Sequence, residues 1–203
     1  QGDWSSDVCS SDLTRETILD EAIFMASTTG FEALTIGKLS KAVGMSKSGL
    51  FAHFNSKEQL QLDLLKAVVE KFSKIVIEPS LKVRRGEPRI RALAKNILTW
   101  DNSGFMPGGC MIHTATIEFE GRPGPVRNFL VSHQKYWINF IEKAAGIAVE
   151  ERQFRKNLDI NLFAFEFLAI FPSYHYSSHL LNDPQAENRA WIMFERLIKD
   201  AQI

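Results

Sequence analysis

Cysteine is nearly absent. The 203-residue chain has only Cys9 and Cys110, which excludes a disulfide framework and the cysteine-rich zinc modules and points to a reducing, cytoplasmic setting. Long apolar runs are also missing: none approaches the roughly 20 residues that a membrane-crossing helix needs, so no membrane partner is expected. Neither charge is in excess, with 24 Lys and Arg against 24 Asp and Glu, so bulk charge gives no support for a nucleic-acid partner. There is no glycine-rich phosphate loop after a strand, no nucleophile elbow and no HExxH pair. The chain is therefore not expected to be an enzyme, and no cofactor or metal is implied. Alternating β patterns are lacking throughout.

Residues 1–13 stand apart. SSDVCSSDL repeats a Ser-Ser-Asp unit without helical periodicity, and GDWSSDVCSSDL looks like a translated sequencing adapter. This leader is read as non-native or disordered and is excluded from the fold.

What remains is helical. Apolar residues recur three and four apart from Thr14 to the C-terminus, which predicts an all-α protein of about nine helices. Thr14 to Thr29 is expected to form a first helix ended by Gly30, and a helix from Ser56 is expected to end near Pro79. Glu150 to Leu181 reads as one long helix kinked at Pro172. Asp183 and Pro184 open the last helix. Residues 14–60 are assigned to an N-terminal three-helix domain, and 61–203 to a C-terminal helical domain.

The segment TIGKLSKAVGMSKSGLFAHFNSK, Thr35 to Lys57, reads as a helix-turn-helix. Ile36, Leu39, Ala42 and Val43 lie at helical spacing before the break Gly44-Met45-Ser46, and Leu50, Phe51 and Phe54 follow it. Thr35 and Ser46 occupy N-cap positions, and Gly44 sits where the backbone needs a positive φ. No Asp or Glu occurs from Ala33 to Lys57, whereas Lys38, Lys41, Lys47, His53 and Lys57 do. A local basic face of this kind suits phosphate contacts. Leu50 and Phe54 are assigned to the core.

The run from Glu16 to Leu60 resembles the N-terminal domain of TetR-family transcriptional regulators. The resemblance lies in Thr29-Gly30-Phe31, Leu34-Thr35-Ile36, Val43-Gly44-Met45-Ser46-Lys47-Ser48-Gly49-Leu50-Phe51-Ala52-His53-Phe54 and Ser56-Lys57-Glu58-Gln59-Leu60. It implies DNA contacts at Thr35, Ser46, Lys47, Ser48, Gly49, Phe51, His53 and Lys57. Phe51 departs from the family's frequent Tyr and so lacks a hydroxyl for phosphate, which leaves it a core or deoxyribose contact. The resemblance further implies a homodimer on a pseudo-palindromic DNA operator, acting as a ligand-responsive regulator, most often a repressor. A second stretch, from Gly109-Cys110 to Glu118-Phe119-Glu120-Gly121-Arg122-Pro123-Gly124-Pro125, is similar to a subset of the family. Arg122 is expected to tie to Glu118 or Glu120.

The C-terminal half is aromatic-rich. Trp100, Phe105, Met111, Trp137, Phe140, Phe167, Phe171 and Tyr174, with His113 and His175 as polar handles, are candidates to line a site for a small, largely apolar effector. Leu180, Leu181, Trp191, Ile192, Phe194, Glu195, Leu197 and Ile198 exceed the apolar needs of one bundle face, and by the resemblance the last two helices form the dimer interface. Two alternatives stand beside the regulator: a thiol-based redox sensor acting through Cys110 at a helix N-terminus, and a helical protein-interaction module without DNA binding. His175 and His179 lie four residues apart, but no acidic or cysteine neighbour in the sequence completes a metal site.

Overall fold

The computed structural model describes the backbone of residues 4–203 and the side chains from residue 15 onward. Ten α-helical segments follow in order: α1 (Trp4–Thr29), α2 (Ile36–Ala42), α3 (Lys47–Phe54), α4 (Lys57–Phe72), α5 (Glu78–Leu81), α6 (Glu87–Asp101), α7 (Met111–Phe119), α8 (Pro125–Glu150), α9 (Ile160–His175) and α10 (Ala186–Ala201). A π turn, Ser73–Ile77, joins α4 to α5, so nine unbroken helical rods result among the described residues. An isolated bridge between Phe154 and Gln202 is the only β pairing there. The backbone of residues 4–13, which the sequence reading leaves outside the fold, belongs to α1, while residues 1–3 and the side chains of 4–14 lie outside the described residues.

The chain divides into two compact units, Gln1–Val69 with Gly104–Phe129, and Glu70–Ser103 with Leu130–Ile203. In the first unit Ile18, Ala22, Ile23 and Ala26 of α1 are buried, together with Phe31, Leu34, Leu39, Leu50, Phe54, Leu60 and Leu64. These are the apolar stripes expected from the sequence. α7 belongs to this unit and packs on α1. Gly108 marks the closest approach, since a Cβ there would stand 1.7 Å from the Ser27 carbonyl oxygen.

The second unit centres on α6, α9 and α10. Phe163 and Phe167 of α9 meet Phe154 and Phe194 in a chain of ring contacts 5.1–6.3 Å apart. The helix expected from Glu150 to Leu181 starts only at Ile160, since α8 ends at Glu150 and a loop follows it. Arg152 adopts φ +57, Gln153 and Phe154 donate back to the Ala148 carbonyl, and Asp159 caps α9 by accepting from the Leu162 N–H at 3.0 Å. A left-handed residue that is not glycine gives no punctuation in the sequence, which is why the break was missed. Pro172 is accommodated inside α9, and the irregularity follows it as a π turn at Tyr176–Leu180. The helix begun at α4 likewise runs past Pro79, because the π turn ahead relaxes the ladder where proline lacks a donor.

Candidate functional site

The helix-turn-helix is built as its sequence dictates. Thr35 caps α2 by accepting from the Lys38 N–H at 3.2 Å, and Ser46 caps α3 by accepting from the Gly49 N–H at 3.0 Å. Between them, Gly44 has φ +69. The Met45 N–H reaches the Ser40 carbonyl at 2.9 Å and the Gly44 N–H reaches Lys41 at 3.4 Å, which is the Schellman closure of a helix end. A Cβ at Gly44 would touch nothing within 4 Å. Glycine is needed there for its dihedral angle, not for space.

α3 has two sides. Leu50 and Phe54 are fully buried; Arg15 lies over the Phe54 ring, 5.4 Å from its centroid, and is itself fixed by Asp63 at 2.8 Å. On the other side Ser46, Lys47, Ser48, Phe51 and Ala52 are exposed, with Gly49 and His53 half-buried. Phe51 is 51 % exposed, so it is no core residue, and an apolar ring on this face suits a sugar or thymine-methyl contact. The Ser46 and Ser48 hydroxyls lie 3.1 Å apart beside the N-terminus of α3, whose partial positive charge favours phosphate. A Cβ at Gly37 would meet the Lys47 stem at 3.3 Å, so Gly37 gives Lys47 its path across α2. Nothing in the sequence pattern singled out Gly37.

Lys57 is placed differently from its neighbours. Its ammonium donates to the Glu32 carbonyl and to Glu32 Oε1, both at 2.8 Å. That hydrogen bond is the main cause holding the Glu32 carboxyl below its usual range, with Gln61 and Arg122 assisting against a desolvation cost. Arg122 reaches Glu32 at 3.6 Å and lies over Phe119, so the expected tie to Glu118 or Glu120 is replaced by one to Glu32. Glu118 instead accepts from the Phe31 and Glu32 backbone N–H groups.

The expected effector residues separate between the units. Phe105, Met111 and His113 lie in the first, where Met111 is fully buried. In the second, Phe72, which is not among the effector residues expected from the sequence, packs edge-on against both Trp100 and Trp137 at 5.3 Å, and Trp137 stacks on Phe140 at 5.5 Å. His133 is half-buried, and desolvation pulls its pKa below the usual imidazole value. Phe167 sits in the α9–α10 core. Tyr174 is hydrogen-bonded by Asn102, and its phenol is pushed up chiefly by burial. Phe171 lies against His175, and His175 is buried beside Asp101. Cys110 is the N-cap residue of α7 and only 6 % exposed. Reactive thiols are accessible ones, so the redox alternative lacks its main requirement.

A model of the tetR family of bacterial regulatory proteins matches residues 18–64, and one of the tetracyclin repressor-like C-terminal domain matches residues 86–194. The chain belongs to the TetR family. Over 74 residues it is 34 % identical to the HTH-type transcriptional repressor AcnR of Corynebacterium glutamicum, a match covering 36 % of this chain and 39 % of that relative. Among solved structures, a TetR transcriptional regulator from Chloroflexus aurantiacus superposes with a TM-score of 0.83 at 20 % identity over 94 % of both chains. AibR, solved with isovaleryl coenzyme A and operator DNA, superposes with a TM-score of 0.73 at 22 % identity over 91 % of this chain and 98 % of that one. The all-α fold and the TetR membership agree with what the sequence implied. No helix among the described residues is long and apolar enough to cross a membrane.

Proposed function

We propose that this TetR-family protein is a homodimeric, ligand-responsive repressor that binds a pseudo-palindromic operator through α3. The observation that carries this reading is the division of α3: Leu50 and Phe54 anchor it, while Lys47, Ser48, Phe51 and Ala52 face outward from a capped N-terminus. A helix held in this way enters a major groove with its first turn against phosphate and its next turn against base edges. Lys47 supplies charge to phosphate or to a guanine edge, Ser46 and Ser48 supply short hydroxyls, and Thr35 stands at the start of α2. Lys57 acts by fixing Glu32, and its contribution to phosphate is secondary.

Dimerisation through the last two helices has support in the surface of α9. Leu162, Phe165, Ala169, Pro172, Tyr176 and Leu180 are all exposed along one helical stripe, with Phe165 72 % and Leu180 67 % exposed, and Ile192 and Met193 of α10 are exposed as well. Apolar stripes of this extent mark interaction surfaces. Phe194 and Ile198, counted toward the same face from the sequence, are buried within the unit.

The effector is a small, largely apolar molecule received beside Phe72, Trp137 and Phe140, which are only half-buried. Binding alters DNA affinity only if the ligand prefers one of two dimer geometries. Electrophoretic mobility shift with the upstream intergenic DNA, at stated salt, tests the reading. Retention of that fragment over random DNA of equal length is the expected result, and equal affinity for both rejects it.

A further inference from the structure

Asp101 closes α6, and His175 and His179 lie four residues apart where α9 passes into its π turn. Packing brings the three together from distant parts of the chain. Asp101 Oδ1 stands 2.9 Å from His175 Nδ1, and Oδ2 stands 3.1 Å from His179 Nε2. The imidazole centroids are 4.8 Å apart, and one ligand atom from each residue can be chosen so that all three lie within 4.8 Å of one another. We propose that Asp101, His175 and His179 form a binding site for one divalent transition-metal ion of the zinc, cobalt or nickel type.

The donor set selects the class of ion. Two imidazoles with one carboxylate suit borderline cations, whereas calcium and magnesium call for oxygen ligands. Residues four apart on a helix share a face, so both rings reach the same point. The Asp101 side chain has no solvent exposure, and an ionised carboxylate in such a place is costly unless positive charge accompanies it. A cation shared with the two rings supplies that charge.

Ligands at about 2.1 Å from one ion stand roughly 3–3.5 Å from one another, and both Asp–His separations already lie near this range. His179, 22 % exposed, completes the set by a small inward swing of its ring. Three protein ligands leave a fourth position open for water or for a donor atom of a bound molecule. The Phe171 ring, 6.0 Å from His175, forms an apolar wall beside it. The ion fastens the end of α6 to the end of α9, so the loaded protein is the more heat-resistant form.

The test uses the full chain, stripped with a chelator and titrated with zinc or cobalt alone. One equivalent per chain is expected by calorimetry, together with a visible cobalt d–d spectrum and a raised melting temperature. His179→Ala, whose fold circular dichroism verifies, is expected to lose about 100-fold or more in affinity, since even partners of ligands are worth 10–100-fold; His179→Gln is the second variant should the first not fold. His53→Ala is expected to bind like the wild type. Absence of stoichiometric binding, a missing cobalt spectrum, or affinity unchanged by loss of His179 would each overturn the site in favour of a hydrogen-bonded Asp–His–His cluster.

Discussion

Glu118 holds Phe31 by its backbone. The Glu118 Oε1 atom accepts the Phe31 N–H at 3.0 Å, and Oε2 accepts the next N–H, that of Glu32, at 2.8 Å. The two aromatic neighbours pack as well, Phe31 against Phe119 edge-on at 5.7 Å. One carboxylate at the end of α7 thus satisfies two donors in the turn that leads into the helix-turn-helix. Gly30 has φ +92, and a Cβ there would stand 3.2 Å from Glu118 Oε1. Replacing Glu118 with Ala leaves two part-buried N–H groups without acceptors, at roughly 1–3 kcal/mol each if water does not replace it. Urea unfolding is expected to show a loss in this range, and an unchanged midpoint would contradict the assignment.

Gly108 has no room for a side chain. Its Cβ would overlap the Ser27 carbonyl oxygen, and backbone cannot yield as a flexible side chain does. Gly108→Ala is expected to cost at least about 1–3 kcal/mol, the range of overpacking. Gly44→Ala costs less, about 1 kcal/mol of left-handed strain. A thermal melt comparing the two variants gives the order.

Lys47→Ala is expected to weaken operator binding and to lower the slope of log affinity against log salt by about one. Fluorescence anisotropy across a salt series reads both quantities. A full-strength operator complex with an unaltered slope would remove Lys47 from the phosphate contacts.

The α9 stripe makes its own prediction. Phe165→Arg places charge at the most exposed aromatic of that face while leaving the buried Phe163 and Phe167 in place. Light scattering after size exclusion is expected to show monomer for the variant and dimer for the parent. Equal masses would move the dimer interface elsewhere.

His133 titrates below its ordinary value because burial disfavours the imidazolium. The sign follows directly: the unfolded chain takes up the proton first, so stability falls as pH drops from about 6.5 toward the lowered folded pKa. NMR titration is expected to place the His133 midpoint under 6.5, and a midpoint at or above that value contradicts its burial.

Much of the candidate interface was legible because it is local. The Thr35 and Ser46 caps, the Gly44 turn and the buried pair Leu50 and Phe54 are fixed by neighbours within a few residues. Exposure of Phe51 was not legible, since an aromatic at helical spacing reads equally as core. The place of Phe72 beside Trp100 and Trp137 was not legible because those rings stand on other helices, and the break at Arg152 gave no warning because no glycine marks it.

By itself the sequence specified most of the helices, the Thr35 and Ser46 caps and the helix-turn-helix, through periodicity and short-range hydrogen bonding, and its motifs carried the family resemblance. Tertiary structure alone decided that Glu118 reaches Phe31 across 87 positions and that Asp101 meets His175 across 74. The reason is physical. Helical pattern specifies which face a residue takes, while the partner on that face depends on how whole helices pack, and no local signal records it.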